Sequence, residues 1–373
     1  MSNQSQPRVA VIGGGVIGVS TAYHLARSGA KVWLVTEGVL ASGASGRSLS
    51  WINSASNWPE HYHQFRTIGI DRYRTLFARQ PTQSWLRFDG GLMWRPPHKV
   101  KLLREMHAHN VAHGYDSQLL KPHQVADRIP GVNPAAIPTS GAIWNPGEGW
   151  VDLPSLINYL ATQLVELGGE LITNAGPASV IAKASRVSEI RTEAHDAIPV
   201  DAALLATGAT VPKMAAEFGV TIPDATNTAL LIKTRPVETQ LRAVLNTPRV
   251  SLRPTPNGGL AVDADWTDSH IDVLADGTYR VPAETINELL AEASHVLVGA
   301  PPFSAASYGI GPKPVPGDGE PVLGQLGEIV GLYVAFTHSG ATLALIVGEL
   351  LAYEMITGQR HPLLAPFAVG RFR

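Results

Sequence analysis

The sequence predicts a mixed α/β fold in which a parallel-sheet unit, built from both ends and the middle of the chain, is interrupted by a β-sheet-rich insertion. Three observations carry this. The chain opens on a strand, a glycine loop, a helix and a second strand. Its C-terminal stretch returns to the same texture. Between about 228 and 280 the pattern becomes one of short hairpin strands.

In residues 8–12 (RVAVI) positions 9–12 are a continuous apolar run, as a strand covered on both faces requires. Residues 16–28 carry apolar side chains at helical spacing with Gly29 as the stop, and 31–35 (KVWLV) form the second strand. Residues 60–79 place Tyr62, Phe65, Ile68, Tyr73, Leu76 and Phe77 at roughly helical spacing. Strands are expected over 85–94 around a Gly90–Gly91 turn, and an amphipathic helix over 155–167 closed by Gly168–Gly169. Short strands follow near 170–173, 178–182, 186–192 and 200–206. Strands near 229–234 and 249–253 precede a turn at Asn257–Gly258–Gly259 and a strand at 260–264. Residues 283–297 read as a helix and 311–321 as a Pro/Gly-rich loop. A strand at 332–336 then leads into a helix over 340–357, stopped by Gly358. The expected partition sets 1–57, 145–225 and 315–373 in the first domain, and 58–144 and 226–314 in the second.

A length of 373 residues suits two domains of ordinary size. The formal net charge of −2, with no basic tail or charge block, argues against nucleic acid as a partner. The absence of cysteine excludes disulfides, thiolate metal sites and cysteine nucleophiles. No H-E-x-x-H, EF-hand or paired metal-ligand spacing occurs, so no catalytic metal is expected. The opening MSNQSQPR has no apolar core of a secretory signal, and the apolar stretch 329–352 is broken by Thr337, His338, Ser339 and Glu349. That stretch reads as a strand and a helix rather than a membrane span, and a cytoplasmic protein is expected.

Gly13, Gly15 and Gly18 form G-x-G-x-x-G between the first strand and a helix whose first residues are Val16 and Ile17. The first glycine permits the turn, the second lets a pyrophosphate approach the backbone, and the third lets helix and strand pack closely. The helix N-terminus offers amides and partial positive charge to phosphates. With Glu37 after the second strand to bond a ribose, this is a Rossmann-type dinucleotide site. Thr36, one residue earlier, is the alternative partner.

Ser42–Gly43–Ala44–Ser45–Gly46–Arg47 follows, supplying small residues, hydroxyls and a cation beside the pyrophosphate. Here the chain resembles the FAD-dependent D-amino acid oxidase superfamily, which includes glycine oxidase, sarcosine oxidase and D-amino acid dehydrogenase. Further segments match in order. They are Gly149–Trp150–Val151–Asp152 with Pro154, Ala206–Thr207–Gly208–Ala209, Lys313–Pro314 with Asp318–Gly319 and Pro321, and Gly331–Ala335 leading into His338–Ser339–Gly340.

The resemblance implies non-covalent FAD and oxidation of an amine C–N bond by hydride transfer to flavin N5. The expected partners are a small amine or amino acid and oxygen or another electron acceptor. It places Ser42, Ser45, Gly46, Arg47, Val180, Thr207 and Gly208 at the cofactor. The turn of Ser339, Gly340 and Thr342 would direct a helix N-terminus at the reduced flavin. His338 beside it could add positive charge or be structural. Trp51 could face substrate or belong to the core. Lys313 could hold a substrate carboxylate, activate oxygen or be a solvated loop residue. The β-rich insertion offers Lys233, Arg235, Arg249, Trp266, His270 and Arg253, of which Arg253 is the chosen site residue. His61 and His63 are expected to be exposed helix residues rather than points of covalent flavin attachment.

Overall fold

The apolar strand Arg8–Ile12 is covered on both faces because it lies inside a six-stranded sheet, between Ala202–Leu205 and Lys31–Val35. The computed structural model describes residues 6–372, so residues 1–5 of the opening segment, like residue 373, lie outside the described residues. The full strand order is Val322–Gln325, Leu332–Phe336, Ala202–Leu205, Arg8–Ile12, Lys31–Val35 and Glu170–Ile172. All neighbours are parallel except the antiparallel first pair.

The helices Leu153–Glu166 and Gly340–Thr357 both pack on helix Val16–Arg27. A side chain at Gly348 would run into Ser20, so the first and last helices touch through small residues. Gly358 ends the last helix in the left-handed conformation at φ 70°, and its amide donates to Glu354 O at 2.8 Å. That helix alone, among the described residues, is long and apolar enough to cross a membrane, and 61% of it is buried within the protein. Ala10, Ile12, Trp33, Val35 and Leu205 face the other side of the sheet, where they pack with the antiparallel trio Ala178–Lys183, Arg186–Thr192 and Ile198–Pro199.

These elements form one compact unit, comprising the chain up to Gly46, Leu153–Asn227 and the chain from Pro312. The second unit, Arg47–Asp152 and Thr228–Gly311, is built on an eight-stranded sheet. Its strand order is Ala305–Lys313, Asn227–Thr234, Leu260–Asp263, Ser251–Pro254, Val244–Asn246, Gly91–Met93, Ala142–Asn145 and Gln118–Leu120. Leu92, Ile232, Leu252 and Val262 meet Leu289 and Ala293 of helix Ala283–His295. The Asn257–Gly259 turn joins Ser251–Pro254 to Leu260–Asp263 as a hairpin, with Gly258 at φ 82°.

Two expectations need correction, and one stretch carried none. Gly90–Gly91 does not turn a hairpin: Leu86–Arg87 pairs with Gly149–Val151 in a small sheet, whereas Gly91 already starts a strand of the large one. The loop expected over 311–321 begins inside strand Ala305–Lys313, which lies at the edge of the large sheet where Pro312 is tolerated. Helices Val100–Ala112 and Pro122–Arg128 also occupy a stretch with no such expectation.

Candidate functional site

In the first unit the candidate segments all begin where a parallel strand ends. Gly13 follows Ile12, Thr36 follows Val35, Ala206 follows Leu205 and Thr337 follows Phe336. Open α/β sheets gather ligand-binding loops at this carboxyl edge.

The glycines divide by what a side chain would meet. At Gly13 it would strike the Ala206 carbonyl, and at Gly18 the Gly13 carbonyl. Both therefore serve close backbone packing. Among the described residues beyond its own stretch of chain, a side chain at Gly15 would meet only Ser45 Oγ, at 3.4 Å, so packing against them does not demand glycine there. The glycine instead keeps clear the space before the helix N-terminus. Ser45 Oγ accepts the Val16 amide at 3.0 Å, which leaves its own proton available to an acceptor in that space.

Other segments converge on the same edge. A methyl group at Gly340 would come 3.7 Å from Val16 Cγ1 and 4.0 Å from Ile17 Cγ1, which brings the two helix N-termini together. Ser339 makes no side-chain cap hydrogen bond to its helix. Thr342 is buried in that first turn, and His338 before it is exposed. A methyl group at Gly208, itself at φ 65°, would lie 3.6 Å from Pro314 Cγ. This brings the Thr207–Gly208 turn beside the half-buried Lys313.

Thr36 is buried against Gly14, with Oγ1 2.7 Å from where a Cβ would stand, whereas Glu37 is exposed. Ser42 is exposed, and a side chain at Gly46 would strike Ala41 O. Val180 points into the core of this unit, leaving its backbone on the strand.

In the second unit, Arg47 runs its side chain over Gly309 and Gly311, where any Cβ would collide with it. Burial lowers its pKa. Arg253 is 1% exposed. Its guanidinium donates to Leu49 O and, at 2.8 Å, to Pro254 O. It lies 3.6 Å from Asp152 Oδ1 and 5.0 Å over the Trp150 ring. Burial depresses it to about 10, against the opposing pull of Asp152. Arg249 pairs with Glu288 and Glu292 and stacks on Trp266, while His270 Nδ1 lies 3.1 Å from Thr285 Oγ1. These residues bind sheet to helix and do not join Arg253. A cleft of about 390 Å³, lined by Arg87, Asp89, Trp150 and Arg242 among others, includes Trp150 of the Gly149–Asp152 segment but none of the residues expected at the cofactor or substrate.

His63 is buried, contrary to expectation, while His61 is exposed. The helix Glu60–Arg79 buries Tyr62, Phe65, Gly69 and Tyr73, and a flanking row of His63, Arg66 and Ile70 is drawn in with them. His63 Nδ1 lies 2.9 Å from Ser54 Oγ. Trp51, half-buried, donates its indole N–H to Glu148 Oε2 at 2.9 Å. Glu148 escaped sequence reasoning. Its only signal is a carboxylate in the otherwise apolar, glycine-rich turn between two strands. No group of three or more His, Cys, Asp or Glu able to hold a metal occurs among the described residues.

The family profile described as FAD dependent oxidoreductase (DAO) matches residues 8–354. The chain belongs to this family. It is 24% identical to glycine oxidase of Geobacillus kaustophilus over 97% of this chain and 96% of that one. It is 22% identical to an opine oxidase subunit of Rhizobium meliloti, over 97% and 96%. The crystal structure of the Geobacillus glycine oxidase superposes with a TM-score of 0.80, covering 98% of this chain and 99% of that one at 22% identity. As a DAO-family member the chain is an FAD-dependent amino acid or amine oxidoreductase, with a Rossmann-type unit and a sheet-rich unit. The clearing at Gly15 suits a pyrophosphate held against backbone, with amides and a hydroxyl facing it, so the residues present fit the cofactor.

Proposed function

We propose that this chain oxidises a small amino acid or N-substituted glycine, of the sarcosine, iminodiacetate or D-amino acid kind, with oxygen as acceptor. The observation that supports it best is the convergence of Gly13–Gly18, Ser45, Thr207–Gly208, Pro314 and Gly340 on one sheet edge. In this reading FAD is held non-covalently. Gly13, Gly15, Val16, Ile17, Gly18, Ser42, Ser45, Gly46 and Arg47 surround the pyrophosphate. Glu37 bonds the ribose, Val180 meets adenine through its backbone, and Thr207, Gly208, Ser339, Gly340 and Thr342 approach the flavin. The bound flavin supplies a two-electron acceptor at N5. The substrate loses its α-hydrogen with both electrons and one N–H proton, and the resulting imine is split by water into an oxo-acid or aldehyde and an amine. The N-terminus of helix Gly340–Thr357 stabilises negative charge, with His338 adjacent. Lys313 holds the substrate carboxylate as a point charge, Trp51 forms part of the substrate face, and Arg253 anchors the Leu49 segment leading to it.

An anaerobic screen of small amines and amino acids for flavin bleaching tests this, followed by air. Bleaching by an amino acid with rapid reoxidation and peroxide is the expected result. Bleaching with slow reoxidation supports a second reading, a dehydrogenase with a quinone or protein acceptor. No bleaching by any amine supports a non-catalytic flavin-binding component of a larger complex. The likeness to a protein that is one component of an opine oxidase motivates keeping that reading in view.

A further inference from the structure

Glu148 is fully buried and takes part in none of the chemistry assigned above. It stands on the turn between strands Ala142–Asn145 and Gly149–Val151. Trp51 Nε1 donates to its Oε2 at 2.9 Å. Its Oε1 accepts from the Tyr115 hydroxyl at 2.8 Å and from Asn145 Nδ2 at 3.1 Å. The Ser54 amide already donates to the Tyr115 oxygen at 3.0 Å, which directs the phenol proton to Glu148. A side chain at Gly91 would strike both Glu148 and Trp51, so the strand behind them leaves the pair its room. Three donors on one carboxylate suit its ionised form. The buried Asn145 Oδ1, however, has no hydrogen-bond partner, and is an acceptor waiting for a donor.

We propose that Glu148 is a positioning residue for Trp51. As a carboxylate it grips the indole N–H. When protonated it turns its O–H to the Asn145 amide oxygen and loosens that grip. The role rests on the reading of Trp51 as part of the substrate face. A charge-assisted bond to the indole is about twice as strong as a neutral one, so the protonation state sets how firmly the ring is held. Burial lifts the carboxyl to about 8, against the hydrogen bonds from Tyr115, Trp51 and Asn145 and the positive charge of Arg66. The surrounding titratable and charged groups are Arg66 and His63 on helix Glu60–Arg79, and His109 and His113 at the end of helix Val100–Ala112. Beyond them lie Arg74, which donates to Gly147 O at 2.7 Å, its partner Asp71, and the Arg87–Asp89 pair. His63 is itself pushed down by burial and by His113, so it contributes little positive charge near neutrality.

The test uses holoenzyme labelled with 15N at the tryptophan indoles. The signal that Trp51→Phe removes should move in one step near pH 8 in the wild type. It should stay fixed in Glu148→Gln. In Tyr115→Phe, which lacks one donor to the carboxylate, the midpoint should rise. KM for an acid substrate above the step should be about tenfold higher in Glu148→Gln than in the wild type. A Trp51 signal that ignores pH, or that steps identically in Glu148→Gln, overturns the proposal. So does a midpoint unmoved in Tyr115→Phe, or a KM profile that Glu148→Gln leaves unchanged. The indole titration needs no substrate, so it separates failure of this proposal from failure of the oxidase reading.

Discussion

Ser45 Oγ accepts the backbone amide of Val16 across 29 residues of chain, capping the first helix from outside it. Helix-capping hydroxyls are worth about 1 kcal/mol. Ser45→Ala is therefore expected to weaken FAD binding about 3- to 12-fold through the lost hydrogen bond. Titration of the apoprotein with FAD measures this. An unchanged dissociation constant would remove Ser45 from the site.

The two kinds of glycine in the loop should fail differently. Gly15→Leu should give a folded, colourless protein, since among the described residues beyond its own stretch of chain a Cβ there meets only Ser45 Oγ, at 3.4 Å. Gly18→Ala should lose stability as well as flavin, because its methyl group would strike Gly13 O. Thermal melts recorded beside flavin absorbance distinguish them. Full FAD occupancy in folded Gly15→Leu would relocate the phosphate site.

Acid-denatured protein should release free FAD into the supernatant. With no cysteine in the chain and His63 buried on Ser54, the expected link is non-covalent. Flavin remaining with the precipitate would identify a covalent bond.

Lys313→Met should raise KM for an acid substrate by about 10- to 150-fold, the effect of losing a charge-assisted hydrogen bond of roughly 1.5–3 kcal/mol. The decarboxylated amine should be little affected. Equal losses on both would end the carboxylate role, and slower reoxidation at constant KM would favour oxygen activation instead.

Stability should carry the mark of Glu148. Its folded pKa of about 8 lies above the ordinary 4.5, so the folded state binds this proton more tightly than the unfolded chain. The resulting stabilisation is complete below about pH 4.5 and is lost as pH rises to about 8. The wild-type melting temperature should fall relative to Glu148→Gln across that window. Parallel pH profiles for the two proteins would contradict a raised pKa.

The candidate cofactor loop was legible because its rules are local. Glycine spacing, the strand before it and the helix after it are read within one stretch of chain, and the structure then divides the three glycines into Gly13 and Gly18, which allow close backbone packing, and Gly15, which does not. The second unit was less legible because its decisive contacts are remote. Trp51 and Glu148 are 97 residues apart, and Arg253 meets Leu49 across 204. Helix Val100–Ala112 buries only Leu103, Met106 and Asn110, too thin a stripe among its charged neighbours to announce a helix. His63 misled because a polar side chain on a helix is ordinarily solvated, whereas here Ser54 meets its ring nitrogen and the His113 and Tyr115 rings pack on it.

The strand that opens the chain finds its two neighbours at very different times. Val9 pairs with Val32 soon after both are made, but also with Ala202, and the sheet continues from there to Leu332–Phe336. During ribosomal synthesis the first strand, helix and second strand must therefore wait, half covered, while the intervening unit is produced. Such non-local pairing slows folding, because chain closure is entropically costly before the contacts that offset it can form. A truncation before Leu332 would leave Ala202–Leu205 with an exposed parallel edge, the kind of surface that recruits other chains. Premature termination late in the message should thus produce aggregates rather than a smaller working flavoprotein.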